Sequence, residues 1–258
     1  MQKRHSDRRA YFYELARTTQ RHIMPYIDRW KPAAPGMDVL ELGCGEGGNL
    51  LPYARRGCRV TGVDLCAGRT EQARAFFAEA GAEGRFVCAD ITEWGDGEHG
   101  FDLIIMHDVI EHVADKRGAM ERARRLLRPG GRVFVAFPSW LMAFGGHQQI
   151  ARSRLVSHLP FVHLLPRRYY RQLLCACGER QDTVAELMAI RSTRCTIAAF
   201  AAIARSVGFA VEDVTPWLVN PHYEAKFGLR PRRLPTLLCR LPAVRDVLAS
   251  SCFFMLRA

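Results

Sequence analysis

Three glycines at alternate positions, Gly43, Gly45 and Gly47, with Gly48 beside the last, separate a short apolar run at 37–42 from a helix-like stretch at 48–56. This feature limits the fold more than any other in the 258-residue chain. An apolar strand is buried on both faces, as in a parallel sheet covered by helices. Glycine adopts backbone angles closed to other residues and lets a ligand come close to the main chain. The stretch therefore predicts a strand, a tight turn and a helix, with a ligand at the carboxyl end of the strand.

The same rhythm continues along the chain. A helix at 7–30 comes first, and Pro32 and Pro35-Gly36 break the chain after it. Strands are expected at 59–64, 85–89, 101–107 and 132–137, with helices at 68–80 and from the capping residue Asp115 to 127. Residues 139–195 interrupt the alternation and read as a helical cap insertion on the substrate side. Thr196 then caps a helix at 197–207, and strands follow at 209–214 and 252–256, with a Pro- and Arg-rich excursion at 217–248 between them. The expectation is an α/β fold, doubly wound, with seven strands. It divides into an N-terminal helical segment (1–32), a ligand-binding core (33–138), the cap (139–195) and a completion of the core (196–258).

Composition excludes several classes. A chain 48% hydrophobic can bury a full core, and no run of 18 apolar residues offers a membrane span. The first residues, Met1 to His5, lack the apolar stretch of a secretory signal. Nine scattered cysteines without a CxxC pair read as reduced thiols of a cytoplasmic protein. The net charge of +11 lies outside the core, since residues 33–138 carry 13 basic and 16 acidic groups. The basic flanks suit an anionic partner, whether an acidic substrate, an anionic membrane surface or nucleic acid.

Asp64 ends the second strand, 19 residues after Gly45, where a carboxylate can accept hydrogen bonds from both hydroxyls of a ribose. Gly43, Gly45 and Gly48 also satisfy GxGxxG, so a nicotinamide dehydrogenase competes at this point. The wider pattern decides between them. Val39-Leu40-Glu41-Leu42-Gly43-Cys44-Gly45-Glu46-Gly47, Val60-Thr61-Gly62-Val63-Asp64, Cys88-Ala89-Asp90-Ile91, Asp108-Val109-Ile110-Glu111-His112-Val113 and Leu127-Arg128-Pro129-Gly130-Gly131 follow one another in order. With these motifs the chain resembles class I S-adenosylmethionine (SAM)-dependent methyltransferases, and the 108–113 segment is similar to that of ubiquinone-type O-methyltransferases.

The resemblance implies a Rossmann-like, mostly parallel sheet with an antiparallel last strand, and SAM as cofactor. It also implies a cofactor site built from Glu41, Gly43, Cys44, Gly45, Asp64, Leu65, Asp90, Ile91 and His107. Gly43 and Gly45 would line the methionine part, with Glu41 orienting the loop. Asp64 would hold the ribose, Asp90 and the Ile91 backbone the adenine, and His107 would face the methionine moiety. In similar proteins Asp108, Glu111 and His112 can contribute to a divalent metal site, although the same Glu-His pair more often braces the next helix. No metal is expected here.

Methyl transfer to a hydroxyl needs alignment and removal of a proton. His147, after Gly145-Gly146, is the first candidate base and His112 the second. Leucines, aromatics and arginines interleave at 155–174, which suits a lid over a greasy anionic acceptor, an interfacial helix resting on an anionic membrane, or a cap with a wet basic face. The mixed polar and aromatic segment 220–233 reads as a wall of the acceptor site or, equally, as a surface loop or a dimer contact. The expected activity is methyl transfer to a small-molecule or lipid-linked acceptor at oxygen, in the cytoplasm or at a membrane. RNA or protein methylation and a non-catalytic SAM-binding module are the alternatives. His107-Asp108-Val109-Ile110 stands where base-directed amino methyltransferases carry an Asn/Asp-Pro-Pro-aromatic signature, which counts against base amino methylation and leaves RNA ribose and protein targets open; nucleic acid is not the expected partner.

Overall fold

The computed structural model describes residues 7–95 and 100–258; the start of the chain, Met1 to His5, lies outside them. Strands β1 (Asp38–Leu42), β2 (Arg59–Asp64), β3 (Arg85–Cys88), β4 (Phe101–His107), β5 (Leu127–Phe137), β6 (Ala210–Val219), β7 (Arg232–Arg233) and β8 (Ser251–Arg257) form one sheet in the order β3-β2-β1-β4-β5-β8-β6-β7. The first five strands pair in parallel, and β8 inserts antiparallel between β5 and β6. The sheet has eight strands where the apolar runs indicate seven. The extra one, β7, is two exposed arginines paired to the end of β6, too short and too polar to carry a hydrophobic signal.

Side chains alternate across the sheet with the period of two that strands require. Leu40, Ile104, Met106, Val133, Val135, Phe254 and Leu256 pack on one face against α5 (Lys116–Leu126) and α9 (Ile197–Ser206). Val39, Leu103, Ile105, Phe134, Ala136, Phe253 and Met255 pack on the other. That second face is covered by the N-terminal helices α1 (Arg8–Thr18) and α2 (Met24–Ile27), by α3 (Leu51–Arg55) and by α4 (Ala67–Glu79). Burial on both faces explains why the central strands read as unbroken apolar runs.

Local capping follows the sequence. Asp115 accepts a hydrogen bond from Gly118 N at the start of α5, and Thr196 accepts one from Ala199 N at the start of α9. Between β5 and α9 lie α6 (Arg154–His158), α7 (Arg167–Ala176) and α8 (Gln181–Ser192), with an apolar centre of their own made of Val156, Val162, Tyr170, Leu174, Val184 and Leu187. After β6 come α10 (His222–Phe227), α11 (Thr236–Cys239) and α12 (Pro242–Leu248).

The first helix does not simply end at Thr18. It widens into a π turn at Thr19–Ile23 before α2. The wider turn brings buried Thr19 against the loop that follows β1, where its Oγ1 donates to Asn49 Oδ1 at 2.7 Å. Close packing depends on Gly48 at the same place. A Cβ on Gly48 would stand 2.5 Å from the carbonyl oxygen of Phe12 and 2.8 Å from Leu15 Cβ. Gly48→Ala should therefore destabilise the fold by about 1–3 kcal/mol, as an overpacked contact against backbone does. Urea unfolding measures it, and a stability equal to wild type would show that α1 does not press on the turn.

Candidate functional site

The glycine turn, the carboxyl ends of β2 and β4, α1 and the start of the cap enclose a cavity of about 740 Å³. Its lining includes Gly43, Cys44, Gly45, Asp64, Leu65, Asp90, Ile91, His107, His112 and His147, so all but one of the residues singled out from sequence for cofactor and proton transfer meet there. The exception, Glu41, is buried beneath the lining.

Backbone geometry gives the turn its shape. Gly43 and Gly45 have φ of +78° and +51°, in the left-handed region, and no atom lies within 4 Å of the place a Gly45 Cβ would occupy. Open space beside the backbone is what a closely held ligand needs. Asp64, at the end of β2, bonds both sides of this opening. Its Oδ2 accepts from Gly45 N and its Oδ1 from Cys66 N, each at 2.9 Å. The carboxylate thus holds the turn and the entry to α4, and each oxygen keeps a lone pair for a ligand hydroxyl. Asp90 has a comparable second task, since its Oδ1 accepts from Thr92 N and Thr92 Oγ1. These bonds hold its carboxyl below the usual aspartate range.

Beneath the glycines lies a buried polar chain. Asn49 Nδ2 donates to Glu41 Oε1 at 2.7 Å and stands 3.2 Å from His107 Nδ1. Burial pushes the Glu41 carboxyl up to about 8, and its other oxygen has no partner. Burial also lowers the His107 pKa, so its imidazole is neutral near pH 7 and its Nδ1 accepts from Asn49. Sequence reasoning missed Asn49. Its position just past the glycines, eight residues after Glu41, was the available signal.

Sequence reasoning also missed the contribution of the N-terminal helix. Arg8, Tyr11 and Leu15 line the cavity, and Arg8 Nη1 pairs with the buried Glu46 of the turn at 2.8 Å. Nothing in the periodicity of residues 7–30 says which part of the sheet they cover.

At the mouth, Asp108 and His147 hold left-handed backbone conformations, with φ of 55° and 56°. Such residues are uncommon outside glycine, though Asp and His tolerate them better than most. His147 packs edge-on against His112, ring centroids 4.9 Å apart. Beside them Glu111 is buried with neither carboxylate oxygen bonded, and burial raises its pKa well above the usual range. Thr193 Oγ1 donates to the Glu111 carbonyl at 2.7 Å, and Lys116 Nζ bonds the carbonyls of Val113 and Thr193, which fixes the segment to the cap.

The resemblance raised a metal site at Asp108, Glu111 and His112. The structure changes its membership, because ligand atoms of Glu111, His112 and His147 lie within 4.8 Å of one another and Asp108 is outside this group. One carboxylate and two imidazoles suit a divalent transition ion, and an unpartnered buried carboxylate is a group a cation would neutralise. The fit is therefore to Glu111, His112 and His147.

Two expectations for the acceptor side need correction. None of the arginines at 155–174 lines the cavity, so that segment is not its lid; from the cap, His147, Ile150, Glu186 and Ile190 line it. The 220–233 segment does not border it either. His222 instead bonds Glu14 and Thr18, and His22 bonds Glu224, so this segment is packed on the N-terminal helices.

Comparison with known proteins agrees with the site. Residues 39–131 match the family described as a methyltransferase domain. The chain is 35% identical to the ubiquinone biosynthesis O-methyltransferase of Erwinia tasmaniensis over 123 residues, 45% of this chain and 51% of that protein. It is 37% identical to the protein of the same name from Chelativorans sp. over 101 residues, 39% of this chain and 40% of that protein. The chain thus spans about half the length of the curated relatives it matches.

Among solved structures, a putative sarcosine dimethylglycine methyltransferase from Galdieria sulphuraria superposes with a TM-score of 0.61 at 12% identity, covering 93% of this chain and 85% of that one. A TehB-like SAM-dependent methyltransferase from Corynebacterium glutamicum gives 0.53 at 18% identity, covering 95% and 87%. These structures share the fold. The segment that matches a methyltransferase domain, residues 39–131, is the one that carries the glycine turn, Asp64, Asp90 and His107 of the cavity, and SAM is the cofactor that goes with it.

Proposed function

We propose that this protein transfers a methyl group from SAM to a hydroxyl of a small, partly apolar acceptor. The observation that carries the reading is the meeting of the glycine turn, Asp64, Asp90 and the His112–His147 pair around one cavity. SAM supplies a sulfonium methyl that a nucleophile attacks without further activation, S-adenosylhomocysteine being the leaving group. The chain's residues have the remaining tasks. Asp64 holds the ribose hydroxyls while its bond to Gly45 N keeps the turn open. Asp90 and the Ile91 backbone hold the adenine. Asn49 and neutral His107 form the floor beneath the methionine moiety. Leu15, Val113, Ile150 and Ile190 offer apolar contact to the acceptor and exclude water. The imidazole pair receives the proton of the acceptor hydroxyl.

The lining argues for a neutral acceptor head. It holds Glu46, Asp64, Asp90, Asp108, Asp115 and Glu186 against two arginines, Arg8 and Arg69. Oxygen as the target and an alkyl- or isoprenyl-bearing phenol as the acceptor class are supported by the O-methyltransferase name of the relatives and by the apolar contacts.

Unpartnered Glu111 favours a second reading of the mouth. Glu111, His112 and His147 would hold a divalent ion there, which would polarise an acceptor oxygen. Activity that survives a metal chelator supports proton transfer to the imidazole pair; activity lost to the chelator and restored by a divalent ion supports the metal.

Calorimetry with S-adenosylhomocysteine should show one site, and NADH should not compete. Asp64→Ala should weaken that binding by about 10–100-fold, the worth of hydrogen bonds to a charged group. Tight NADH binding without a response to S-adenosylhomocysteine would overturn the proposal.

His112→Ala should lower kcat by about 100-fold or more and leave cofactor affinity nearly unchanged. Partial desolvation at the mouth lowers the pKa of the half-exposed His112, so the base stays neutral below the ordinary histidine range. The acid limb of the pH–rate profile should accordingly fall below pH 6.5. A limb at or above that value would assign the limb to another group.

Glu41 supplies a stability test. Its folded pKa, about 8, exceeds the ordinary 4.5, so its contribution is complete below 4.5 and is lost as pH rises through 8. Melting temperature should drop more for wild type than for Glu41→Gln between about pH 5 and about pH 9. Parallel curves would show that Glu41 is already ionised in the folded protein.

A further inference from the structure

Apolar side chains crowd one end of the cap, away from the cavity lining. Leu155, Leu159, Phe161, Leu164, Leu165 and Tyr169 are each between 38% and 61% exposed. They project from a firm base. Val156, Val162 and Tyr170, interspersed among them, are buried in the cap's own apolar centre. Phe161 N donates to Ala143 O at 2.7 Å, His163 Nε2 lies 2.8 Å from Trp140 O, and Arg191 bonds the His163 carbonyl. Phe161 itself holds a left-handed conformation with φ of 62°, a strained state for so large a residue. The tip is thus a fixed display of greasy side chains.

Charge along this segment has one sign. Arg152, Arg154, Arg167, Arg168 and Arg171 are exposed beside these residues, and no Asp or Glu occurs from Arg122 to Gly178. The next two carboxylates along the chain are occupied. Glu179 is buried and accepts from the backbone amides of Arg152 and Ser153, and Asp182 pairs with Arg180. Among the described residues, no single helix is long and apolar enough to cross a membrane.

We infer that this end of the cap docks peripherally on an anionic lipid bilayer. Leucines and Phe161 enter the boundary between headgroups and acyl chains, while the planar guanidinium groups bond lipid phosphates. The uniform positive sign selects an anionic bilayer as the occupant; a protein partner for so many arginines would have to supply a matching set of carboxylates. The inference does not depend on methyl transfer.

Co-sedimentation of the full chain with vesicles tests it. The protein should pellet with phosphatidylcholine vesicles containing about one third phosphatidylglycerol, be released by added salt, and bind phosphatidylcholine alone at least about tenfold more weakly. Two double variants, Phe161→Glu with Leu165→Glu and Arg167→Glu with Arg168→Glu, should each reduce partitioning at least about tenfold. Both alter exposed side chains outside the cavity lining, so unchanged thermal unfolding and unchanged binding of S-adenosylhomocysteine verify their fold. Wild type that stays in the supernatant with anionic vesicles, or variants that pellet as wild type does, would overturn the inference. Self-association abolished by the same variants, without vesicle binding, would assign the patch to a second copy of the chain.

Discussion

A single buried amide ties the ligand-facing end of this protein together. Asn49 Nδ2 reaches Glu41 on β1 and stands beside His107 on β4, while its Oδ1 accepts from Thr19 in the π turn of the first helix. Each of these groups is buried. An orphaned polar group at such depth costs about 1–3 kcal/mol, which makes the arrangement all-or-none. The turn holding the glycines is consequently fixed from below by Asn49, from the side by Asp64 and from above by Arg8 on Glu46. A rigid turn matters because the methyl donor must be held within a fraction of an ångström of its line of attack.

Much of this was legible in the sequence, for a physical reason. The strands at 59–64 and 101–107 appear with the bounds expected, and in the second full burial leaves the apolar run Leu103-Ile104-Ile105-Met106. Gly43, Gly45, Asp64, Asp90 and His107 were legible because they sit at strand ends, whose place in space follows from the sheet. What stayed illegible depends on contacts distant in the chain. Residues 7–30 announce a helix and not its perch over Gly48. His147 and Glu111 are 36 positions apart, and their meeting depends on the left-handed turn at His147 and on the bonds from Thr193 and Lys116 that hold the 108–116 segment to the cap. The 220–233 segment looked like a pocket wall because its composition is mixed, but that composition serves equally to fasten it to Glu14, Thr18 and His22.

The distribution of charge separates two surfaces that the net charge of +11 had merged. Carboxylates outnumber arginines around the cavity, and several are committed to holding backbone amides or Arg8. The exposed arginines of the cap lie elsewhere, beside apolar side chains that face outward. A basic excess that looks like substrate recognition in the sequence thus belongs to a different face from the one that holds the reacting groups.

Fold similarity sets a limit on what such a cavity implies. One of the solved structures with this fold is described as a 4+2 cyclase, with a TM-score of 0.55 at 16% identity. A shared fold therefore leaves the reaction to the residues of the site. Here those residues are two adjacent imidazoles over an unpartnered buried carboxylate, at a mouth whose backbone is bent into left-handed conformations at two points. Backbone strain and desolvation of this kind disfavour folding and persist only where the surrounding packing holds them. At the mouth that hold comes from Lys116, bonded to the carbonyls of Val113 and Thr193, and from Thr193, bonded to the Glu111 carbonyl.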